Sequence, residues 1–109
     1  MEQAIHSYRL AIKLNPTSSE CHFNLASAYS DNGEMEAAIE EYKDSLKHDP
    51  ENVDCIFHIA QIQEEKGELA EAYSYYKKAL GINTTSSRAS DGARRLKKIM
   101  DERGIKYNE

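Results

Sequence analysis

The chain has 109 residues, 39% of them hydrophobic and 30% charged, with a formal net charge of −5. That length suits one compact domain, and a content of two prolines and five glycines excludes both a disordered chain and a turn-rich all-β domain. No apolar run approaches the about 18 residues of a membrane span, and the opening MEQAIHSYRLAIKLN is charged throughout with no apolar signal core, so an all-α, cytoplasmic protein is expected.

Taken in chain order, Glu2–Asn15 reads as one helix with Ala4, Ile5, Tyr8, Ala11 and Ile12 on its apolar face. Thr17 and Glu20 then have the spacing of a capping box opening the next helix. In that helix Cys21, Leu25, Ala28 and Tyr29 recur at steps of three and four, up to Asp31-Asn32-Gly33-Glu34. There the glycine is free to turn left-handed and stop the helix. Ala38, Ile39, Tyr42, Ser45 and Leu46 mark a second helix, closed by Pro50, which pushes Asp49 toward extended geometry.

The pattern then starts again. Pro16 and Pro50 lie 34 residues apart, as do Gly33 and Gly67. Sliding Ser19–Asn52 over Val53–Ser86 gives nine identities: Cys21/Cys55, Phe23/Phe57, Ala26/Ala60, Gly33/Gly67, Glu34/Glu68, Ala38/Ala72, Tyr42/Tyr76, Lys43/Lys77 and Leu46/Leu80. The repeat divides the chain into a partial unit over 1–18, full units over 19–52 and 53–86, a capping helix over 87–104 and a flexible tail over 105–109. Ala26 should face Ala38, and Ala60 Ala72, so that paired helices approach closely; Tyr42 and Tyr76 should fill the space between adjacent hairpins. A unit that begins with its second helix lacks that helix's partner, which suggests a piece of a longer array or self-association through Ile5, Tyr8 and Ile12.

These residues resemble the tetratricopeptide repeat (TPR) family. Ser19–Asn52 meets its pattern at Leu25, Ala26, Tyr29, Gly33, Ala38, Tyr42, Leu46 and Pro50. Val53–Ser86 meets it at Ile59, Ala60, Gly67, Ala72, Tyr76, Ala79 and Leu80, with Gln63 where an aromatic is usual and Thr84 in place of the closing proline. The resemblance implies antiparallel helix hairpins stacked as a right-handed superhelix, an α-solenoid. It also implies a concave groove lined by first helices, in which a protein or peptide segment lies.

Mapped on this sequence, the groove would be lined by Glu20, Phe23, Asn24, Ser27 and Asp31, then Asp54, Phe57, His58, Gln61 and Glu65, then Arg88 and Arg95. Phe23 and Phe57 would anchor apolar side chains or else pack on their own hairpins. Asn24 would hold a peptide backbone, and the acidic positions would favour a basic partner. Some family members clamp the carboxylate tails of chaperones with basic side chains. This chain keeps Asn24 but has Asp54, His58 and Gly92 where the clamp wants bases. A homo-oligomer is the alternative partner.

Other chemistry finds little support. Cys21 and Cys55 share a register position and should lie a repeat spacing apart, too far for a disulfide, as small buried thiols. In the nearest metal-like cluster, Cys21, His22, Cys55 and His58, the adjacent Cys21 and His22 point about 100° apart and cannot easily share one ion, so no metal or cofactor is expected. Glu40-Glu41 and Glu64-Glu65 are adjacent pairs that read as solvated faces, and no catalytic motif is present, so no enzyme is expected. Arg94, Arg95, Lys97 and Lys98 make a basic stripe without interleaved aromatics, in an acidic chain, which argues against nucleic acid.

Overall fold

The computed structural model describes Glu2–Lys106 as six helices: α1 (Glu2–Leu14), α2 (Ser19–Asp31), α3 (Met35–His48), α4 (Val53–Glu65), α5 (Leu69–Ile82) and α6 (Ser87–Arg103). No strand occurs among the described residues, and no helix among them is long and apolar enough to cross a membrane. The starts of α2, α4 and α6 share one chemical device. Ser18 accepts from the Cys21 amide, Asn52 from the Cys55 amide and Ser86 from the Ala89 amide, at 3.2, 3.2 and 3.3 Å. Each satisfies an N–H that the helix itself leaves unpaired. The cap of α2 is therefore Ser18, one residue beyond the expected Thr17, because Ser18 takes the extended geometry (φ −76°, ψ 110°) that aims its hydroxyl at the helix.

The turns after α2 and α4 depend on glycine. Gly33 and Gly67 adopt φ of 81° and 83°, and the next amides, of Glu34 and Glu68, reach back to the Tyr29 and Gln63 carbonyls. This closure reverses the chain in three residues and sets α2 against α3 as an antiparallel hairpin.

Packing divides the chain into two compact units, the first ending at Cys55 and the second beginning at Ile56. In the first, Ile5 of α1 packs with Leu25 and Ala28 of α2, and Tyr8, Ile12 and Tyr29 flank them. Burying one such large aliphatic side chain contributes about 1.5–3 kcal/mol. Ala26 and Ala38 are wholly buried. Between α2 and α3 the buried Ser45 donates to the Ser19 carbonyl at 2.8 Å and accepts from the Cys55 thiol at 3.3 Å. Burial pushes the Cys55 thiol up, so it stays protonated. Cys21, expected to be equally buried, is only partly so.

The second unit is built on Ala60, Ala72, Tyr73, Tyr76, Ala93, Leu96 and Met100. Ile105 also packs on this cluster, although the sequence reading places it in a flexible tail; residues 107–109 of that tail lie outside the described residues. Tyr76 does fill a space beyond its own hairpin, and its ring lies against Gly92 of α6. A Cβ at Gly92 would sit 2.6 Å from two ring carbons of Tyr76, closer than atoms can approach, so only glycine fits there.

Gly92→Ala is therefore expected to destabilise the protein by about 1–3 kcal/mol through overpacking, despite alanine's higher helix propensity. Gly81→Ala, at an exposed site of α5 with no atom near the new methyl group, should instead stabilise by about 0.4–1 kcal/mol. Urea unfolding of both variants checks the contrast, and two shifts of the same sign would refute the proposed fit of Tyr76 against Gly92.

Candidate partner-binding surface

In the first unit the expected binding residues of α2 divide between two clefts. Glu20 and Phe23 line one with Ser19, Asp49, Asn52 and Asp54. Asn24, Ser27 and Asp31 line another with Ala4, Tyr8 and Ala28. Beneath them lies Tyr42, 2% exposed, which meets Phe23 edge-on at 5.5 Å and shares a 2.9 Å hydrogen bond with Ser27. Phe23 is thus half-buried on its own hairpin, and Ser27 is engaged by a tyrosine. Burial raises the Tyr42 pKa, so the phenol stays neutral. Sequence reasoning missed Asp49 and Asn52, which sit between helices; the break at Asp49-Pro50 was their only signal.

In the second unit Phe57 meets Tyr76 edge-on at 5.7 Å, and His58 lies beside it at 6.3 Å. The Arg88 guanidinium sits 4.3 Å above the Phe57 ring centre, within cation–π range. A ligand that stacks on this face of Phe57 must therefore displace Arg88. Gln61 and Glu65 are exposed.

Arg95 is tied down by Glu64, which the sequence places in a solvated pair but which is half-buried and fully engaged. Its Nε and Nη2 donate to both carboxylate oxygens of Glu64, at 2.9 and 2.7 Å, while the Tyr76 hydroxyl donates to the same carboxylate at 2.8 Å. A two-pronged guanidinium–carboxylate contact is the strong form of this bond. Burial works to raise the Glu64 pKa, but the bonds from Arg95 and Tyr76 outweigh it and hold the carboxyl below its ordinary value. Tyr76 is pushed up to about 12, first by burial and then by its bond to Glu64.

On α1, the residues singled out for self-association are occupied within the chain. Ile5 is buried, with Tyr8 and Ile12 packed against the same cluster. The large hydrophobics that α1 leaves exposed are Leu10 and Leu14.

Paired helices, alanine seams and tyrosines at a 34-residue spacing are matched by comparison with known proteins. The tetratricopeptide repeat profile fits residues 2–53 and again 23–89. The chain belongs to the tetratricopeptide repeat family. Solved TPR structures share the all-α helical-repeat fold. The Arabidopsis OM64 TPR domain is 25% identical with a TM-score of 0.81, the match covering 89% of this chain and 80% of that one. The Yersinia enterocolitica type III secretion chaperone SycD, in complex with a peptide of the translocator YopD, is 24% identical with a TM-score of 0.82, covering 88% and 79%. The first TPR of Spaghetti (RPAP3), bound to an HSP90 peptide, is 17% identical with a TM-score of 0.84, covering 92% and 79%. No curated protein sequence matches the chain.

The Glu64 contacts set a sign for pH. A carboxyl held below its ordinary value of 4.5 contributes stability that is present above that value and is lost as pH falls through the folded-state value. Glu64→Gln should cost about 1 kcal/mol at pH 7, and the difference from the parent should shrink toward pH 3. Urea midpoints at both pH values check this, and a pH-independent difference would count against the ionised contact.

Proposed function

We propose that this TPR chain docks a segment of a partner protein, and that the first unit receives a basic side chain of that segment. The observation that carries the reading is the cleft of Glu20, Phe23, Asp49, Asn52 and Asp54. Three carboxylates line it, and none has an ion-pair partner among the described residues. Grouped like charges repel, and a lysine or arginine from a partner relieves that repulsion while its stem lies along the Phe23 ring. Asn24, half-exposed one position beyond Phe23, is placed to hydrogen-bond a peptide backbone.

Solved neighbours that hold peptides support the general mode: SycD with a translocator peptide and RPAP3 with the HSP90 peptide SRMEEVD. The chemistry of this cleft is opposed to the latter. A peptide ending Glu-Glu-Val-Asp would be repelled by Glu20, Asp49 and Asp54, so chaperone tails are not the ligands proposed.

A peptide array of mixed sequence, probed with the purified chain, tests the reading. Peptides with lysine or arginine beside an apolar residue should be enriched, and the Glu20→Gln/Asp49→Asn/Asp54→Asn variant should lose at least about tenfold in affinity for them. Enrichment of acidic peptides, or unchanged binding by the variant, would overturn it.

A second reading, self-association, is favoured by the exposed Leu10 and Leu14 on α1. Light scattering after size exclusion should then give a dimer that the Leu10→Gln/Leu14→Gln variant loses. A monomer at all concentrations would remove this alternative.

A further inference from the structure

His22 occupies a setting that peptide docking does not use. It lies on α2, its side chain is 10% exposed, and both ring nitrogens meet oxygen atoms. Nε2 is 2.9 Å from the Pro16 carbonyl oxygen, and Nδ1 is 2.8 Å from Oε1 of Glu41 on α3. A carbonyl oxygen only accepts, so Nε2 carries the hydrogen and donates it. In the neutral ring Nδ1 then points a lone pair at an ionised carboxylate. Two such groups at hydrogen-bond distance repel unless a cation lies between them.

A proton is one such cation, and the surroundings are also suited to a larger one. Asp44 follows Glu41 by three residues and His48 follows Asp44 by four, so all three share one face of α3. The ligand atoms of His22, Glu41 and Asp44 all lie within 4.8 Å of one another. The His48 ring stacks on that of His22, with centroids 5.8 Å apart and planes 22° apart. The contact to Pro16 is the one that a metal-bound imidazole makes with its other nitrogen, typically donating to a backbone carbonyl or carboxylate that fixes the ring.

We propose that His22, Glu41 and Asp44 form a binding site for one divalent transition-metal ion, with zinc the best match to the ligands. One imidazole and two carboxylates suit zinc, whereas magnesium and calcium prefer all-oxygen sites. Zinc–ligand distances of about 2.0–2.2 Å require the Nδ1–Oε1 pair to open only slightly from 2.8 Å. The two carboxylates balance the charge of the ion, and water supplies a fourth ligand. Lys47 now pairs with Asp44 at 3.2 Å, but its side chain is 73% exposed and gives way at little cost. Bound zinc would fasten α2, α3 and the Pro16 turn together.

The experiment is calorimetric titration of the chelator-treated chain with zinc chloride, alongside thermal unfolding with and without the ion. One saturable site and a raised Tm are expected. Glu41→Gln and Asp44→Asn should each weaken binding by at least about tenfold, since loss of even an outer-shell partner costs about 10–100-fold. His22→Gln should do the same, and the two α3 variants keep the test decisive if it fails to fold. Cys21→Ser should bind as the parent does. Absence of saturable binding, unchanged affinity in Asp44→Asn and Glu41→Gln, loss of binding in Cys21→Ser, or equal affinity for magnesium would each overturn the assignment.

Discussion

A short helix with one apolar stripe has nowhere to bury it except against another helix, and the residues at the crossing set how close the two can come. In this protein those residues are alanines. Ala26, Ala38, Ala60 and Ala72 are all completely buried, and each leaves so little between backbones that larger neighbours must be threaded around them. Tyr42 and Tyr76 take up that task from the same register position, with rings buried and hydroxyls directed toward polar groups. Phe23 and Phe57 then rest edge-on against those tyrosines. The character of the outer surface of α2 therefore follows from the alanine seam beneath it.

Much of this was readable before any coordinates, because certain residues perform functions that few others can. A glycine with positive φ and an alanine at a helix crossing leave a 34-residue signature. The side-chain partners were less readable. Tyr42 and Tyr76 are equivalent by repeat, yet one bonds Ser27 and the other Glu64, since long polar side chains reach whatever acceptor their own unit offers. Glu64 and Arg95 are distant in sequence, and nothing local joins them. The cap at Ser18 was recoverable: Ser18, Asn52 and Ser86 are all capping residues at the repeat spacing, whereas the counterpart of Thr17 in the second unit is Glu51. On α1, the apolar face was correctly located, but its burial against α2 depended on a neighbour whose direction the spacing alone does not give.

The two adjacent glutamate pairs show how helical geometry sorts equal charges. Neighbours on a helix point about 100° apart, so one of each pair can turn inward while the other meets water. Glu41 and Glu64 are half-buried and hold His22 and Arg95, while Glu40 and Glu65 are exposed. Part of the acidic excess of the chain is thus consumed by structure. Glu20, Asp49 and Asp54 form no ion pair among the described residues.

The slot at Gly92 also bears on motion. A glycine inside a helix lowers its intrinsic persistence by about 1 kcal/mol relative to alanine, so α6 owes its order to docking more than to its own sequence. Lifting α6 away would remove Leu96 and Met100 from the cluster and undo the Arg95 contact in the same event. Opening of this end would therefore break these contacts together, as a cooperative unit does.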